Sequence, residues 1–315
     1  MTRPATTVAY FGPAGTFTEQ ALLTQQDYAA AERRPMATII DVLDAVETGV
    51  AEIGFVPIEN GIEGTVAITV DSLVFDFDLL IQREVVLDIH LALLANEGTT
   101  MSDVSVVRSF PHALAQCRKF LAERLPGATT EAASSTAEAA RELGQHPDKT
   151  VAVIAPPTAA EVYGLVLLAE EVEDHPENQT RFVAVSKGGI PRATGHDRTS
   201  IVCFQSADHP GSLHSILGQF SARDINLTKL ESRPTKRGLG DYCFVIDLDG
   251  HVGDEIVADC LRDLHAGLVG VKFLGSYPAA GRHGPSRRRE AEQAWQRADE
   301  WVRSLRSQIG DDGGA

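Results

Sequence analysis

Along the first 186 residues, apolar runs of strand character alternate with stretches whose apolar positions fall three or four apart, and this alternation predicts an α/β fold. Strands are expected at TVAYFG (7–12), MATII (36–40), IGFVPIEN (53–60), VSVVRSF (104–110) and TVAVIA (150–155). Between them, Thr16-x-x-Glu19 reads as a capping box opening a helix after a Gly-Pro turn, and a short helix runs from Asp41 to a stop at Gly49. Pro111 opens an amphipathic helix through PHALAQCRKFLAERL, Ser135-x-x-Glu138 opens another, and PPTAAEVYG (156–164) runs from a proline start to Gly164. The run LLIQREVVLDIHLALLAN (79–96) is too long for one ordinary strand and is expected to cross between two lobes, with His90 as a satisfied strand residue. LVLLAEEV (165–172) leads down to the return, PENQTRFVAVS (176–186).

A Gly/Pro-rich polar break, GGIPRATGHDR (188–198), marks a domain boundary. The pattern that follows is βαββαβ over residues 199–278, a ferredoxin-like plan with a hairpin loop at KRGLGD (236–241). Beyond Pro278 the chain is polar and helix-like, with Trp295, Val302 and Leu305 on an approximate stripe, and it ends in GDDGGA. The expected division is therefore a two-lobed domain at 1–187, crossing near 80–90 and 170–182, a linker at 188–198, a second domain at 199–278 and a polar helical tail at 279–315.

The net charge of −16 argues against a nucleic-acid or anionic-membrane partner, and the one basic cluster, Arg287–Arg289, lies in the tail. No apolar run reaches the ~20 residues of a membrane helix, and the N-terminus lacks a signal-peptide pattern, so a cytoplasmic protein is expected. Cys117, Cys203, Cys243 and Cys260 are widely spaced and read as small buried hydrophobes; no metal is expected.

Four short stretches carry candidate chemistry, each with an ordinary alternative. In GPAGTFTEQA, the helix start with Thr16 and Thr18 suits an anion, or is plain capping. In PIENGIEGT, Glu59 and Asn60 end a buried strand, where open α/β sheets place ligands, with Gly61 and Thr65 following; the alternative is a polar turn. Ser135 and Thr136 in SSTAEAA mark a second hydroxyl-rich helix start or a simple N-cap. In QTRF, Thr180 offers a hydroxyl and Arg181 a permanent charge that grips carboxylates, or forms a surface ion pair with the preceding acids. In the second domain, HPGSL and LESRP could pair two copies of the module around a small molecule, or be ordinary turns.

Taken together, GPAGTFTEQA, PIENGIEGT, SSTAEAA, IAPPTAAEVYGL and NQTRFVAVS resemble prephenate dehydratases in order and spacing, along residues 7–278, and ESRP (231–234) is similar to the motif of that family's regulatory ACT domain. The resemblance implies a catalytic domain of two lobes, like a periplasmic binding protein, followed by a ferredoxin-like ACT domain. It implies decarboxylating dehydration of prephenate to phenylpyruvate without a cofactor. The family's essential threonine falls on Thr180, with Arg181 and Phe182 completing the match. Thr180, Arg181 and Glu59 are expected to be catalytic, with Glu59 as a candidate proton source; Thr16, Thr18, Asn60, Gly61, Thr65, Ser135, Thr136 and Phe182 are expected to bind substrate. L-Phenylalanine is implied as a feedback effector on Pro210, Gly211, Ser212, Leu213, Asn226, Leu227, Glu231, Ser232, Arg233 and Pro234, between ACT domains of a homodimer or homotetramer. The chain departs from the family pattern at Gly61, often serine, at Phe110 and His112, often histidine and glutamine, and at Ser212, which stands for alanine in the ACT turn. An arogenate dehydratase would share these motifs, and an amino-acid sensor without catalysis is the alternative of a different class.

Overall fold

The structure, a computed structural model, describes residues 6–205, 210–236, 238, 241–281 and 297–307. They divide into two compact units, one within Met1–Leu79 and Glu84–Lys187, the other within Leu80–Arg83 and Gly188–Ala315. The strands, in chain order, are β1 Thr7–Phe11, β2 Glu32–Met36, β3 Ile53–Asn60, β4 Gly64–Thr65, β5 Leu80–Asp88, β6 Ala92–Ala95, β7 Val106–Ser109, β8 Thr129–Ala132, β9 Val151–Ala155, β10 Val166–Ala169, β11 Gln179–Ser186, β12 Asp197–Gln205, β13 Leu227–Pro234, β14 Tyr242–Asp249 and β15 Val269–Pro278.

The first unit holds two sheets and so has two lobes. One sheet runs β2-β1-β3-β11-β5, with β4 beside β3; the other runs β10-β6-β9-β7-β8. In the first, β1 pairs parallel with β2 and β3, while β11 enters antiparallel to β3. Residues 182–185 are buried throughout rather than in alternation, because β11 is an interior strand. Pro35 is accommodated because β2 lies at the sheet edge, where a missing N–H costs no ladder bond.

Three local expectations change. The strand expected at MATII lies earlier, at Glu32–Met36, and a helix already begins at Ile39. Thr38 and Asp41 form a reciprocal capping box there, and the helix buries Ile39 while leaving Ile40 exposed. The helix expected across 111–125 is broken into Pro111–Ala115 and Arg118–Arg124, with Gln116 and Cys117 between them. The long run 79–96 crosses between sheets as expected, as two strands, β5 and β6, but His90 lies in the connecting Ile89–Leu91 and not in a strand.

The chain passes between the two sheets at 89–91 and again between β10 and β11, and these two passages are tied together. Ile89 N donates to Asn178 O at 2.8 Å, Val172 N to Leu91 O at 3.0 Å, and Leu91 N to Glu173 Oε2 at 2.8 Å. The other oxygen of buried Glu173 lies 2.9 Å from His90 Nδ1. That hydrogen bond raises the His90 pKa above its ordinary value, outweighing the opposing effect of desolvation. A raised folded-state pKa stabilises below the unfolded value of about 6.5, and the contribution disappears as pH climbs through the folded value. Thermal melts should therefore separate wild type from His90→Gln more at pH 6 than at pH 8.5; equal separation at both would dismiss the ion pair.

In the second unit the antiparallel order β13-β14-β12-β15, with helices Ser212–Ser221 and Glu255–Asp263, gives the ferredoxin-like arrangement. Both helices pack on one face, where Ile216, Phe220, Val257 and Cys260 meet Ile201, Cys203, Phe244 and Ile246. All four cysteines are buried, and burial pushes the thiols of Cys117 and Cys203 up to about 12, leaving them packing groups rather than nucleophiles. Among the described residues no helix is long and apolar enough to cross a membrane, and no cluster of His, Cys, Asp or Glu is placed to hold a metal. Residues 297–306 of the tail are helical, with Trp301 and Leu305 exposed; Trp295, Arg287–Arg289 and the terminal GDDGGA lie outside the described residues.

Candidate active site

Antiparallel pairing of β3 with β11 sets Thr180 opposite Asn60 and Arg181 opposite Glu59. The two motifs, about 120 positions apart in the chain, thus become one surface. A register shift between Arg181 and Phe182 follows, and bulges commonly re-aim side chains beside functional sites. Phe182 itself is a core residue, stacked on Phe55 with ring centroids 5.8 Å apart. Its position anchors the strand end that carries Thr180.

Asn60 organises the polar cluster. Its Oδ1 accepts the backbone N–H groups of Ile62 and Glu63, both at 3.0 Å. Because those groups can only donate, the amide orientation is determined and Nδ2 must face the other way. Nδ2 donates to Thr180 Oγ1 at 2.8 Å and to Asn178 Oδ1 at 3.0 Å. Asn178, only 2 % exposed, passes the polarity on: its Nδ2 donates to Gln116 Oε1 at 3.2 Å, and Gln116 Nε2 donates to Glu63 Oε1 at 3.4 Å. The chain ends on a carboxylate that can only accept, so every amide in it has one consistent orientation. Thr180 Oγ1 receives the Asn60 donor, and its own O–H keeps its proton for a further acceptor.

This network joins the two lobes, since Gln116 belongs to the second lobe and Asn60 and Thr180 to the first. His112, next to Gln116 in space, places Nδ1 2.7 Å from Glu63 Oε2. Gln116 is legible only once the expected long helix breaks: it is the residue that closes Pro111–Ala115.

On the other side of β11, the guanidinium of Arg181 lies between Glu59 and Glu84, with Nε 3.5 Å from Glu59 Oε2 and Nη1 3.4 Å from Glu84 Oε2. The Glu84 side chain is 1 % exposed and that of Glu59 37 %. Glu84 is not legible in the sequence as a site residue because it follows Gln82 and Arg83 in a mixed strand, where a charged residue reads as solvent-facing. Thr65 pairs directly with Glu59 across β4 and β3. Gly61 donates its N–H to Gln179 O at 2.7 Å, and a Cβ added there would lie 3.4 Å from that oxygen, so the serine common at this position in the resembling family would fit.

The two hydroxyl-rich helix starts serve as caps. Thr16 Oγ1 accepts the N–H of Glu19 at 3.3 Å and donates to Phe11 O at 3.4 Å. The Glu19 carboxylate does not return to Thr16 but takes Gly15 N–H at 2.7 Å and Tyr10 O–H at 3.0 Å. Thr18 is buried in the first turn. Ser135 caps by accepting Glu138 N–H at 3.0 Å, with Thr136 as the first helical residue. Phe17, between Thr16 and Thr18, packs against the cores of both lobes.

In the second unit, Gly211 has φ +89 at the start of the helix Ser212–Ser221, a conformation that favours glycine, and Gln205 Nε2 donates to Ser212 Oγ at 3.0 Å. Leu213 and Leu227 pack on the sheet-helix core. Asn226 Nδ2 donates to Asp249 Oδ2 at 2.8 Å, while on β13, with Ser232 and Pro234, Glu231 pairs with Arg233 at 3.0 Å. Pro210 is a turn residue just before Gly211; residues 206–209 lie outside the described set.

A family model for prephenate dehydratase matches residues 8–189, and one for the ACT domain matches residues 199–266. The chain belongs to the prephenate dehydratase family. The prephenate dehydratase of Mycobacterium leprae is 40 % identical over 288 residues, covering 89 % of this chain and 88 % of the relative. Prephenate dehydratase from Arthrobacter aurescens, solved in complex with L-Phe, superposes with a TM-score of 0.88 at 40 % identity, over 96 % of this chain and 99 % of that one. A structure described as GqqA, a novel type of quorum quenching acylase, gives a TM-score of 0.78 at 27 % identity, over 87 % of this chain and 98 % of that one. The prephenate dehydratase fold of two α/β lobes with an ACT domain is thus the fold of this chain.

Proposed function

We propose that this chain converts prephenate to phenylpyruvate, CO₂ and water at the Asn60–Thr180 cluster, under feedback control by L-phenylalanine. The observation that carries the site is the determined orientation of the Asn60 amide, which makes the Thr180 hydroxyl a donor toward bound ligand. The reaction breaks the bond between the ring and its carboxylate. That electron pair moves through the diene and the C4–O bond breaks, giving the aromatic ring. The departing oxygen leaves as water only if it gains one proton. A catalyst therefore needs a hydrogen-bond donor aimed at that oxygen and a source for the proton; aromatisation drives the rest.

Thr180 is the donor: its hydroxyl stabilises charge growing on the leaving oxygen, and threonine is too weak an acid to release its proton outright. We assign the proton to solvent reaching the leaving oxygen, because Glu59 pairs with Arg181 on the face of β11 opposite Thr180. Arg181 acts by holding Glu59 and Glu84, and Glu63, His112 and Gln116 position the second lobe against the first. The passages at 89–91 and 170–178 serve as the hinge, and Thr16, Thr18, Ser135 and Thr136 frame the substrate from the helix starts. The ACT domain, through Gly211, Leu213, Asn226 and the 231–234 stretch, takes L-phenylalanine between two copies, so the working form is at least a homodimer.

The test is phenylpyruvate formation from prephenate by the purified protein, with and without millimolar L-phenylalanine, and with arogenate in parallel. Turnover of prephenate that phenylalanine depresses is expected. A protein that binds phenylalanine but transforms neither substrate is a sensor, and the catalytic reading falls.

A further inference from the structure

Tyr163 reaches from one lobe of the first unit to the other. It ends the helix Thr158–Tyr163, which packs in the second lobe through Ala159 and Ala160. Its hydroxyl donates to Ala14 O at 2.5 Å, and Ala14 lies in the loop that follows β1 in the first lobe. Gly15 lets the loop lie flat on the ring: it has φ +77, and a Cβ there would stand 3.2 Å from Tyr163 Cε2 and 3.4 Å from Ala159 Cα. Burial raises the Tyr163 pKa, so the hydroxyl keeps the proton it donates.

Both ends of this contact are firmly mounted. The loop is held from its own lobe by Glu19, which takes the Gly15 N–H and the Tyr10 hydroxyl. Tyr163 is backed by the neighbouring helix, where a Cβ on Gly144 would fall 2.5 Å from Tyr163 O. A hydrogen bond between two stiff mounts tolerates little change in lobe separation. We infer that Tyr163 is a positioning residue that latches the two lobes closed, setting the loop before Thr16 against the second lobe and biasing the domain toward the form that holds substrate. Ligand binding to the closed form then draws on this bias, because affinity scales with the fraction of protein already competent.

Tyr163→Phe removes the hydroxyl and keeps the ring that Gly15 lies on. One net hydrogen bond corresponds to a shift in the open–closed equilibrium of roughly 2–12-fold. The first readout is independent of the reaction. Spin labels on Cys introduced at exposed Glu47 and Glu123, one in each lobe, report lobe separation without substrate. A distance distribution moved toward longer values in Tyr163→Phe supports the latch, and an unchanged distribution overturns it. The second readout rests on the proposed activity: KM for prephenate rises, by at most that factor, while kcat stays level or increases, whereas a fall in kcat at constant KM would assign the hydroxyl to chemistry and overturn the latch. Gly15→Ala, which pushes the loop off the ring while leaving the hydroxyl in place, should move the label distance the same way.

Discussion

Thr180→Ala is expected to lower kcat for phenylpyruvate formation by ~10²–10³-fold, the usual loss for one preorganised donor at a developing negative charge, with KM little changed. The asymmetry between kcat and KM is the content of the expectation. In the proposed mechanism the hydroxyl meets the leaving oxygen most strongly when the C4–O bond is breaking, so it contributes to the transition state more than to the bound substrate. Thr180→Ser keeps the donor and should keep most of the activity, while Thr180→Val, similar in shape but without the hydroxyl, should behave as alanine does. Folding survives the change. Asn60 Nδ2 retains Asn178 Oδ1 at 3.0 Å and Gln179 O at 3.4 Å, and Phe182 still pins the strand from within the core. Steady-state kinetics beside a melting curve decide it: a kcat loss under tenfold with intact folding would remove Thr180 from the reacting centre.

The elements of this chain were legible in its sequence where the local pattern and the tertiary environment agree. The alternation of strand and helix in the first part of the chain and the βαββαβ order in the second rest on periodicity, and the sheet orders follow that plan. MATII failed because a β-branched pair is ambiguous at short length: Thr38 and Asp41 cap a helix there, and the capping signal outweighed the strand propensity of Ile39 and Ile40. Within the site, Thr180 and Asn60 were visible as motif residues, but their pairing was not, since a register between β3 and β11 is a long-range fact. Gln116 and Asn178 were hidden for the same reason. Asn178 reads as a turn residue before a strand and Gln116 as an interior residue of the helix expected across 111–125, and only the fold reveals that they connect Asn60 to Glu63. Glu84 shows the limit from the other side. A charged residue beside Gln82 and Arg83 reads as solvent-facing, and its partner Arg181 is 97 positions away.

Asn60→Asp tests the orientation argument more sharply than deletion does, because it changes one atom and reverses a hydrogen bond. The carboxylate still accepts Ile62 N–H and Glu63 N–H, so the turn that shapes the loop persists. Where Nδ2 donated, an oxygen now faces three oxygens: Thr180 Oγ1, Asn178 Oδ1 and Gln179 O. Thr180 relieves one clash by turning its O–H onto the new carboxylate, which withdraws the proton from the substrate. Asn178 can relieve another only by flipping its amide. That flip presents Oδ1 to Gln116 Oε1, and the conflict travels to Gln116 and then to Glu63, which can only accept. The expected kcat loss is therefore comparable with that of Thr180→Ala, about 10²-fold or more. Unlike that loss, it has a remedy. Protonating the introduced carboxyl restores a donor toward Thr180, so the residual kcat of Asn60→Asp should rise as pH falls through the pKa of that carboxyl, over a range where the wild-type and Thr180→Ala rates show no matching rise. Rates measured across pH for the three proteins separate the possibilities. A recovery confined to Asn60→Asp identifies the amide as the group that aims the Thr180 hydroxyl. Near-wild-type activity at neutral pH would mean that the hydroxyl donates to substrate without being held, and the determined orientation of Asn60 would then serve only the turn.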